Sequence, residues 1–536
     1  MTNWQKTNDL FIVISVKNVF KICRFLVFIN FIYRFGNRLK NYFMKKLLYI
    51  VAVLFFVSCA KDQKVETLKK PNILFIVVDD QGYSDFTPFN INESNVSTPN
   101  ITRLGKSGKV YTQAYVTAPV CSPSRAGFLT GKNQFRWDKP ASWGPGLPDS
   151  VKTLPEYLKE AGYVTAKIGK NDLGRNFHKN NVREYPTNHG FDEFLGFSAH
   201  AHDYWLNSQK IKDITPDPFG TSALLGPLMY NDKEKSYEEG YLTDIFSDEA
   251  IDYIQKRDEE KPFFLMLSYS AVHHLIHEVP KKYLDKYGVK EIPNYHPDSL
   301  ISYGTKEAGT YAAYYDKYSR VGAIDSDDLR KYYLANLNCL DDNIGRVLDV
   351  LSEEKIDKET MIVFISDNGG SPLTGSNNSP LTGGKYSLWE GGIRVPMALV
   401  WDGKVAANST QDAYVSATDI LPTLVNAAGI TLNDATFDGQ DLLAETDSER
   451  LLVWKWQKNW AVRKGDWKLT NAKENHWKSE PTAYYIAPVV DNKELKLFNV
   501  NKDAGERFDV SKEYPAIVKE LDLAYNTWYE TNYGKF

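Results

Sequence analysis

Asn72-Ile-Leu-Phe-Ile-Val-Val78 runs without a break into Asp79-Asp80-Gln81-Gly82. A continuous apolar run of this length, bounded by Pro71 and by two acids, fits a strand buried on both faces, because an edge or half-exposed strand would alternate. Similar runs recur at Val164 to Ile168, Phe263 to Leu267, Met361 to Ile365 and Val395 to Val400. Helices lie between them. Thr153-Leu-Pro-Glu156 is a capping box with Pro beside the start, and Gly162 closes that helix. Leu329, Tyr333, Leu337, Leu340, Ile344, Val347 and Leu351 recur at spacings of three and four, which predicts a long amphipathic helix feeding the Met361 strand. Alternating strand and helix predict an α/β fold with a largely parallel sheet between helices, and a site in the loops beyond the carboxyl ends of its strands.

After about Asp438 the texture becomes Trp-rich and charged. Leu452-Val-Trp-Lys-Trp456, Trp460-Ala-Val-Arg463, Trp467-Lys-Leu469 and Leu495 to Asn499 read as short antiparallel strands, and Pro515 to Tyr529 as a last helix. The division expected is an α/β domain over residues 71–437 and a smaller α+β subdomain with an antiparallel sheet over 438–536. The 536 residues carry 64 basic and 68 acidic side chains, a net charge of −4, with 43% hydrophobic and 13% aromatic residues, so disorder is excluded. No basic cluster offers a footprint for nucleic acid, and none is expected as a partner.

Four cysteines, Cys23, Cys59, Cys121 and Cys339, are too few and scattered for a disulfide scaffold. Cys339 falls within the long helical pattern and reads as a small buried hydrophobe. Met44-Lys-Lys, the apolar stretch Leu47 to Val57 and Ser58-Cys59 have the layout of a secretory signal. It resembles a bacterial lipoprotein signal whose lipobox is Phe56-Val57-Ser58-Cys59, with Cys59 carrying lipid. An uncleaved anchor is the alternative, although the apolar run falls short of the roughly 20 residues of a membrane span. Either way the body is exported and tied to a membrane, with the periplasm or the outer-membrane or cell surface as its expected place. Residues 1–43 read as an upstream segment before a true start at Met44, 44–59 as the signal, and 60–70 as a tether.

Two acidic pairs follow two of the strands: Asp79-Asp80 and Asp367-Asn368. Three carboxylates and an amide at one sheet edge are hard oxygen donors that suit Ca²⁺, or Mg²⁺. Each pair alone is also ordinary turn chemistry, since Asp-Gln-Gly and Asp-Asn-Gly favour tight bends.

Cys121-Ser-Pro123-Ser-Arg125-Ala-Gly127-Phe-Leu-Thr-Gly131 carries the decisive resemblance, to the type I, formylglycine-dependent sulfatases. Gly169-Lys170, Ala271-Val-His273, Gly383-Gly384-Lys385 and Trp389-Glu-Gly-Gly-Ile-Arg-Val-Pro396 follow in that family's order. The resemblance implies an alkaline phosphatase-like fold and removal of sulfate from its esters. It implies that a formylglycine-generating or radical sulfatase-maturing enzyme oxidises Cys121 to an aldehyde, which hydrates to a geminal diol. One hydroxyl attacks sulfur; loss of the second hydroxyl's proton then expels sulfate, so turnover needs no attack by water on a hindered anion. By the same resemblance Asp79, Asp80, Asp367 and Asn368 hold the metal beside position 121, and Asp367 takes the attacking proton. Arg125 and Lys170 flank the aldehyde, while His273 and Lys385 contact sulfate and protonate the leaving oxygen.

Where many relatives read Lys-Trp-His-Leu-Gly, this chain reads Lys170-Asn-Asp172-Leu-Gly174. Asp172 is expected to serve as the base that collapses the sulfated adduct, the alternative being that it holds Lys170 in an ion pair. His200, His202, Asp203, Tyr204 and Trp205 form a polar and aromatic cluster, read either as a substrate-binding sugar rim or as core packing, and Tyr311 to Tyr318 reads as a loop insertion. An exported, lipid-anchored member resembles the polysaccharide sulfatases of Bacteroidetes-type bacteria, so a sulfated algal glycan such as ulvan or carrageenan is the expected substrate, followed by glycosaminoglycans. A phosphoesterase of the same fold and a silent glycan-binding lipoprotein are the other classes.

Overall fold

The computed structural model describes residues 69–533 apart from 92–95, 138–145, 174–181, 207–226, 238, 296–310, 319–322, 433–436, 445–446, 448 and 473–493. The readings at Cys23, Met44, the lipobox, Cys59 and the 60–68 part of the tether lie outside the described residues, as does Gly174. Among the described residues, no helix is long and apolar enough to cross a membrane.

The strands, in chain order, are β1 (Asn72–Val78), β2 (Lys109–Tyr111), β3 (Ala114–Tyr115), β4 (Val164–Lys170), β5 (Glu193–Phe197), β6 (Leu228–Tyr230), β7 (Lys233–Lys235), β8 (Phe263–Ser268) and β9 (Thr360–Ser366). They continue with β10 (Arg394–Val395), β11 (Met397–Val400), β12 (Ser409–Gln411), β13 (Val415–Ser416), β14 (Leu452–Trp456), β15 (Asn459–Lys464), β16 (Trp467–Thr470) and β17 (Lys496–Asn499). A ten-stranded sheet has the order β12-β2-β11-β9-β1-β8-β4-β5-β6-β7. Its middle strands, β9 through β5, are parallel, and the flanks are mixed.

β1 lies at the centre, and its pattern explains why. Leu74, Ile76 and Val78 point into one core and Ile73, Phe75 and Val77 into the other, so both faces need cover. On the first face lie helices at Leu242–Gln255 and Ser326–Glu353; on the second lie those at Cys121–Thr130, Leu154–Glu160 and Ile420–Ala427. We label the first helix of the second face α1 (Cys121–Thr130). The expected capping box is present: the N–H of Thr153 donates to Glu156 Oε2 at 2.8 Å.

Two expectations are corrected. Val395 to Val400 is not one strand of the parallel set. Pro396 has no N–H to give a ladder, so the run breaks there: β10 joins a small sheet with β3 and β13, and β11 runs antiparallel between β9 and β2. Tyr311–Tyr318 is a helix, α2, rather than a loop. The segment holds no Gly or Pro, and it seats Tyr318 on His277 with ring centroids 4.3 Å apart.

β14 to β17 form the expected antiparallel sheet, covered by a last helix, α3 (Pro515–Asn532). Val453, Val462, Leu469 and Leu497 meet Leu521 and Tyr525 of α3, and Trp460 stacks on Tyr525 at 4.0 Å. On the other face Trp454 is buried and its indole N–H donates to Val116 O at 2.7 Å, which joins this sheet to the α/β part.

Candidate active site

The acids converge because of strand register. β1 and β9 are parallel with Val78 opposite Ser366, so the next residues, Asp79-Asp80 and Asp367-Asn368, leave the sheet side by side. The N–H of Asp80 points at Asp367 Oδ1 (3.4 Å), and Asn368 Nδ2 donates to Asp80 Oδ1 (2.7 Å). Lys170 ends β4, in the same layer, and its Nζ lies 2.5 Å from Asp79 Oδ2. His273 follows β8 in a turn fixed to β1's end, where Asp79 N donates to Ala271 O (2.9 Å) and Val272 N to Asp79 O (2.7 Å).

Cys121 opens α1, and Arg125, one turn on, shares its face. Cys121 Sγ lies 3.7 Å from Asp79 Oδ1. Arg125 is fully buried, with Nε 2.8 Å and Nη2 2.7 Å from Asp367 Oδ2, and the same Nη2 3.5 Å from Asp79 Oδ2. Its remaining donor reaches Ser268 Oγ at 2.7 Å, and Ser268 in turn donates to Lys170 O at 2.8 Å. Lys385 Nζ sits 2.8 Å from Asp80 Oδ1, with His273 Nε2 3.9 Å from Asp80 Oδ2.

Three buried carboxylates thus face three buried cations. Against the cost of burial, Lys170, Lys385 and Arg125 hold Asp79 below the usual carboxylate range. Burial, with repulsion from Asp79 and Asp367, pushes Asp80 up to about 7 even beside Lys385. Burial and the Asp79 charge raise the Cys121 thiol well above its ordinary value. Burial, with Lys385 nearby, keeps the His273 imidazole well below its own.

The donors fit a hard divalent cation. Asn368 Oδ1 is buried with no hydrogen-bond partner among the described residues, and beside it stand the oxygens of Asp79, Asp80 and Asp367. Asp79, Asp80, Cys121 and His273 each offer a ligand atom within 4.8 Å of one another.

The other expected residues lie farther out. Asp172 places Oδ2 3.3 Å from Lys170 Nζ. His200 Nε2 lies 3.4 Å from Tyr315 Oη; burial, then Lys170 and Lys385, bring its imidazole down to about 3. His202 and Asp203 are buried and paired with each other, Nδ1 to Oδ1 2.8 Å, with His202 against Phe197. Tyr204 is buried, its hydroxyl donating to Ser270 O (2.9 Å), and Trp205 is half-buried against Tyr241. Sequence reasoning missed Ser268, whose one signal was its place at the carboxyl end of a central strand; the neighbouring His274 sets its ring 4.2 Å from that of His273.

A buried cluster of acids and cations at the switch edge of a parallel sheet, with a helix-opening residue pressed against it, defines a hydrolase for anionic esters. The sulfatase family profile matches residues 71–430, and this chain belongs to that family: it is a sulfuric ester hydrolase. It is 30% identical to mouse arylsulfatase J over 84% of this chain and 74% of that one. Human N-acetylgalactosamine-6-sulfatase is 29% identical over 82% and 81% of the two chains. Among solved structures, Ps i-CgsB in complex with k-i-k-neocarrahexaose superposes with a TM-score of 0.69 at 27% identity, covering 87% of this chain and 94% of that one. The alkaline phosphatase-like α/β architecture expected from the sequence is that of these neighbours.

Proposed function

We propose that this sulfatase strips sulfate from a sulfated polysaccharide or oligosaccharide, with Cys121 first oxidised to formylglycine by a maturation enzyme. The observation that carries the reading is the placement of Cys121 at the head of α1, 3.7 Å from Asp79 Oδ1, with Arg125 one turn on and Lys170 on the same carboxylate. The hydrated aldehyde supplies one hydroxyl to attack sulfur and a second whose deprotonation expels sulfate. A bound Ca²⁺ or Mg²⁺, held by Asp79, Asp80, Asp367 and Asn368, supplies Lewis acidity and neutralises sulfate oxygens.

The rest is the work of the chain's own side chains. Arg125 fixes Asp367 and Asp79, and so fixes the base that takes the attacking proton. Lys170 holds Asp79 from the other side. Lys385 and His273, both on Asp80, contact the sulfate and deliver a proton to the departing oxygen. An algal galactan is favoured as substrate by the likeness to a protein solved with a neocarrahexaose, at 27% identity over 87% of this chain. A glycosaminoglycan is the second reading, favoured by the 29% identity to N-acetylgalactosamine-6-sulfatase. Export with lipid on Cys59 belongs to the proposal on sequence grounds.

The test is coexpression with a maturase. The peptide holding Cys121 should carry an aldehyde by mass, and the protein should release free sulfate from a panel of carrageenan, ulvan and chondroitin sulfate oligosaccharides. A preparation that keeps the thiol and hydrolyses sulfate esters equally fast sinks the reading.

A further inference from the structure

We propose that Tyr386 and Trp456 form an aromatic subsite that stacks the pyranose adjoining the sulfated sugar, so that the C-terminal sheet takes part in recognising an oligosaccharide. This rests on the sulfated-glycan reading above.

Tyr386 follows Lys385 directly, and Lys385 Nζ lies 5.6 Å from the centre of its ring while reaching Asp80 at 2.8 Å. The ring therefore borders the place where sulfate would sit. Its backbone is held: the N–H donates to Pro119 O (2.8 Å), two residues before Cys121. Tyr386 also stands at φ +70°, a left-handed conformation that a bulky L-residue adopts only with strain.

Trp456 comes from a different part of the chain. It is the last residue of β14, paired with Asn459 across the exposed two-residue turn Gln457-Lys458. The Trp456 and Tyr386 rings lie 6.2 Å apart at 38°. Side chains two apart on a strand share a face, so Trp454 and Trp456 point the same way. Trp454 is buried and bonded to Val116 O, and it seals the seam between the C-terminal sheet and the α/β part. Trp456 continues that face outward and is half-buried at its open end. Packing thus accounts for Trp454 and leaves Trp456 partly presented to solvent beside Tyr386.

Two amphipathic rings, tilted and partly exposed next to an anion site, suit the apolar C–H face of a pyranose while its hydroxyls stay in water. A free inorganic anion would gain nothing from such a platform. A chain of sugars would gain, with the residue next to the sulfated one laid along this rim.

The experiment compares two lengths of the same substrate on the matured enzyme: galactose 4-sulfate against a carrageenan tetrasaccharide, and N-acetylgalactosamine 6-sulfate against a chondroitin 6-sulfate tetrasaccharide. The expected result is a higher kcat/KM for the tetrasaccharide in one series. Trp456→Ala and Tyr386→Ala should lower the tetrasaccharide-to-monosaccharide ratio about tenfold, and Trp456→Phe should restore most of it. A ratio in Trp456→Ala within about twofold of wild type, at a retained melting temperature, overturns the subsite while leaving the sulfatase reading intact. A wild type without preference for the longer substrate overturns it too. If the wild type releases sulfate from no glycan, the glycan reading itself falls and the subsite with it.

Discussion

Asn368 donates to Asp80 through Nδ2 at 2.7 Å while its Oδ1, equally buried, has no partner among the described residues. A cation there would satisfy that oxygen, so binding should be visible as stability. Calcium at about a hundredfold excess over its Kd should add about 2.7 kcal/mol, raising the melting temperature by several degrees. Asn368→Leu, which removes the oxygen and keeps the branched outline, should abolish the rise; an equal rise in variant and wild type would exclude Asn368 as a ligand. Asp172 poses a different question. Its carboxylate lies 3.3 Å from Lys170 Nζ, which favours the ion-pair role. Asp172→Asn should then lower kcat by about tenfold or less, whereas a general base would cost about 10²–10⁴ and leave sulfated enzyme in the mass spectrum. The acids were legible in sequence because each pair directly follows an apolar run and the parallel register carries them together. Ser268 was not, because a serine at a strand end has no periodicity and only the fold reveals that it orients Arg125.

At the scale of elements, the loop bearing Lys385 is braced from behind. Gly391 N donates to Thr382 O (2.7 Å) and Gly369 N to Gly392 O (3.1 Å), while Lys385 N reaches Gly370 O (3.2 Å). A side chain at Gly369 would meet Gly391 O at 1.8 Å, which is why these segments are glycine where they cross. Glu390, at the root of the brace, accepts from Tyr115 Oη at 2.5 Å and from Lys468 Nζ at 3.0 Å, and Lys468 also reaches Glu506 Oε1 at 2.8 Å. Lys468 belongs to β16, so the C-terminal sheet supplies the cation that neutralises this buried pair. Lys468→Met would leave Glu506 without its cation and Glu390 with only the longer Arg394 contact of 3.5 Å, and should cost about 3–5 kcal/mol, measured as a lower urea midpoint with an unchanged slope. A loss below about 1 kcal/mol would mean that Glu390 is held by Arg394 and Tyr115 alone. None of this was visible in the Trp-rich texture of the C-terminal sequence, which reveals strands by their alternation but not which inward lysine meets which glutamate. Pro396 was visible and underweighted: one missing N–H splits Val395 to Val400 between two sheets.

For the molecule as a whole, the site gathers residues from Asp79 to Lys385 because five parallel strands end at one edge, and alternating runs of strand and helix made that edge predictable. The full strand order was not, since β2, β11 and β12 are short and their neighbours are chosen by packing. Tertiary packing also buries Glu278, which ties together three segments that are distant in sequence. Its Oε2 accepts the N–H of Tyr204 (2.7 Å) and its Oε1 the hydroxyl of Tyr314 on α2 (2.6 Å). The groups facing it are Asp203, which is paired with His202, and Tyr314, whose hydroxyl also meets His277. Burial first, then the Asp203 charge, push Glu278 up to about 8 from an ordinary 4.5. Between those values the folded state keeps a proton that the unfolded chain has released, so stability falls as pH rises through the window, by up to about 1.4 kcal/mol per pH unit. Glu278→Gln removes the titration; its amide oxygen can still accept the Tyr204 N–H, while its amide nitrogen donates to the Tyr314 hydroxyl, which turns to His277. Its melting temperature relative to wild type should therefore climb between about pH 5 and about pH 8. A gap that stays constant across that range would mean that Glu278 is ionised in the folded protein, its charge met by the cluster around it.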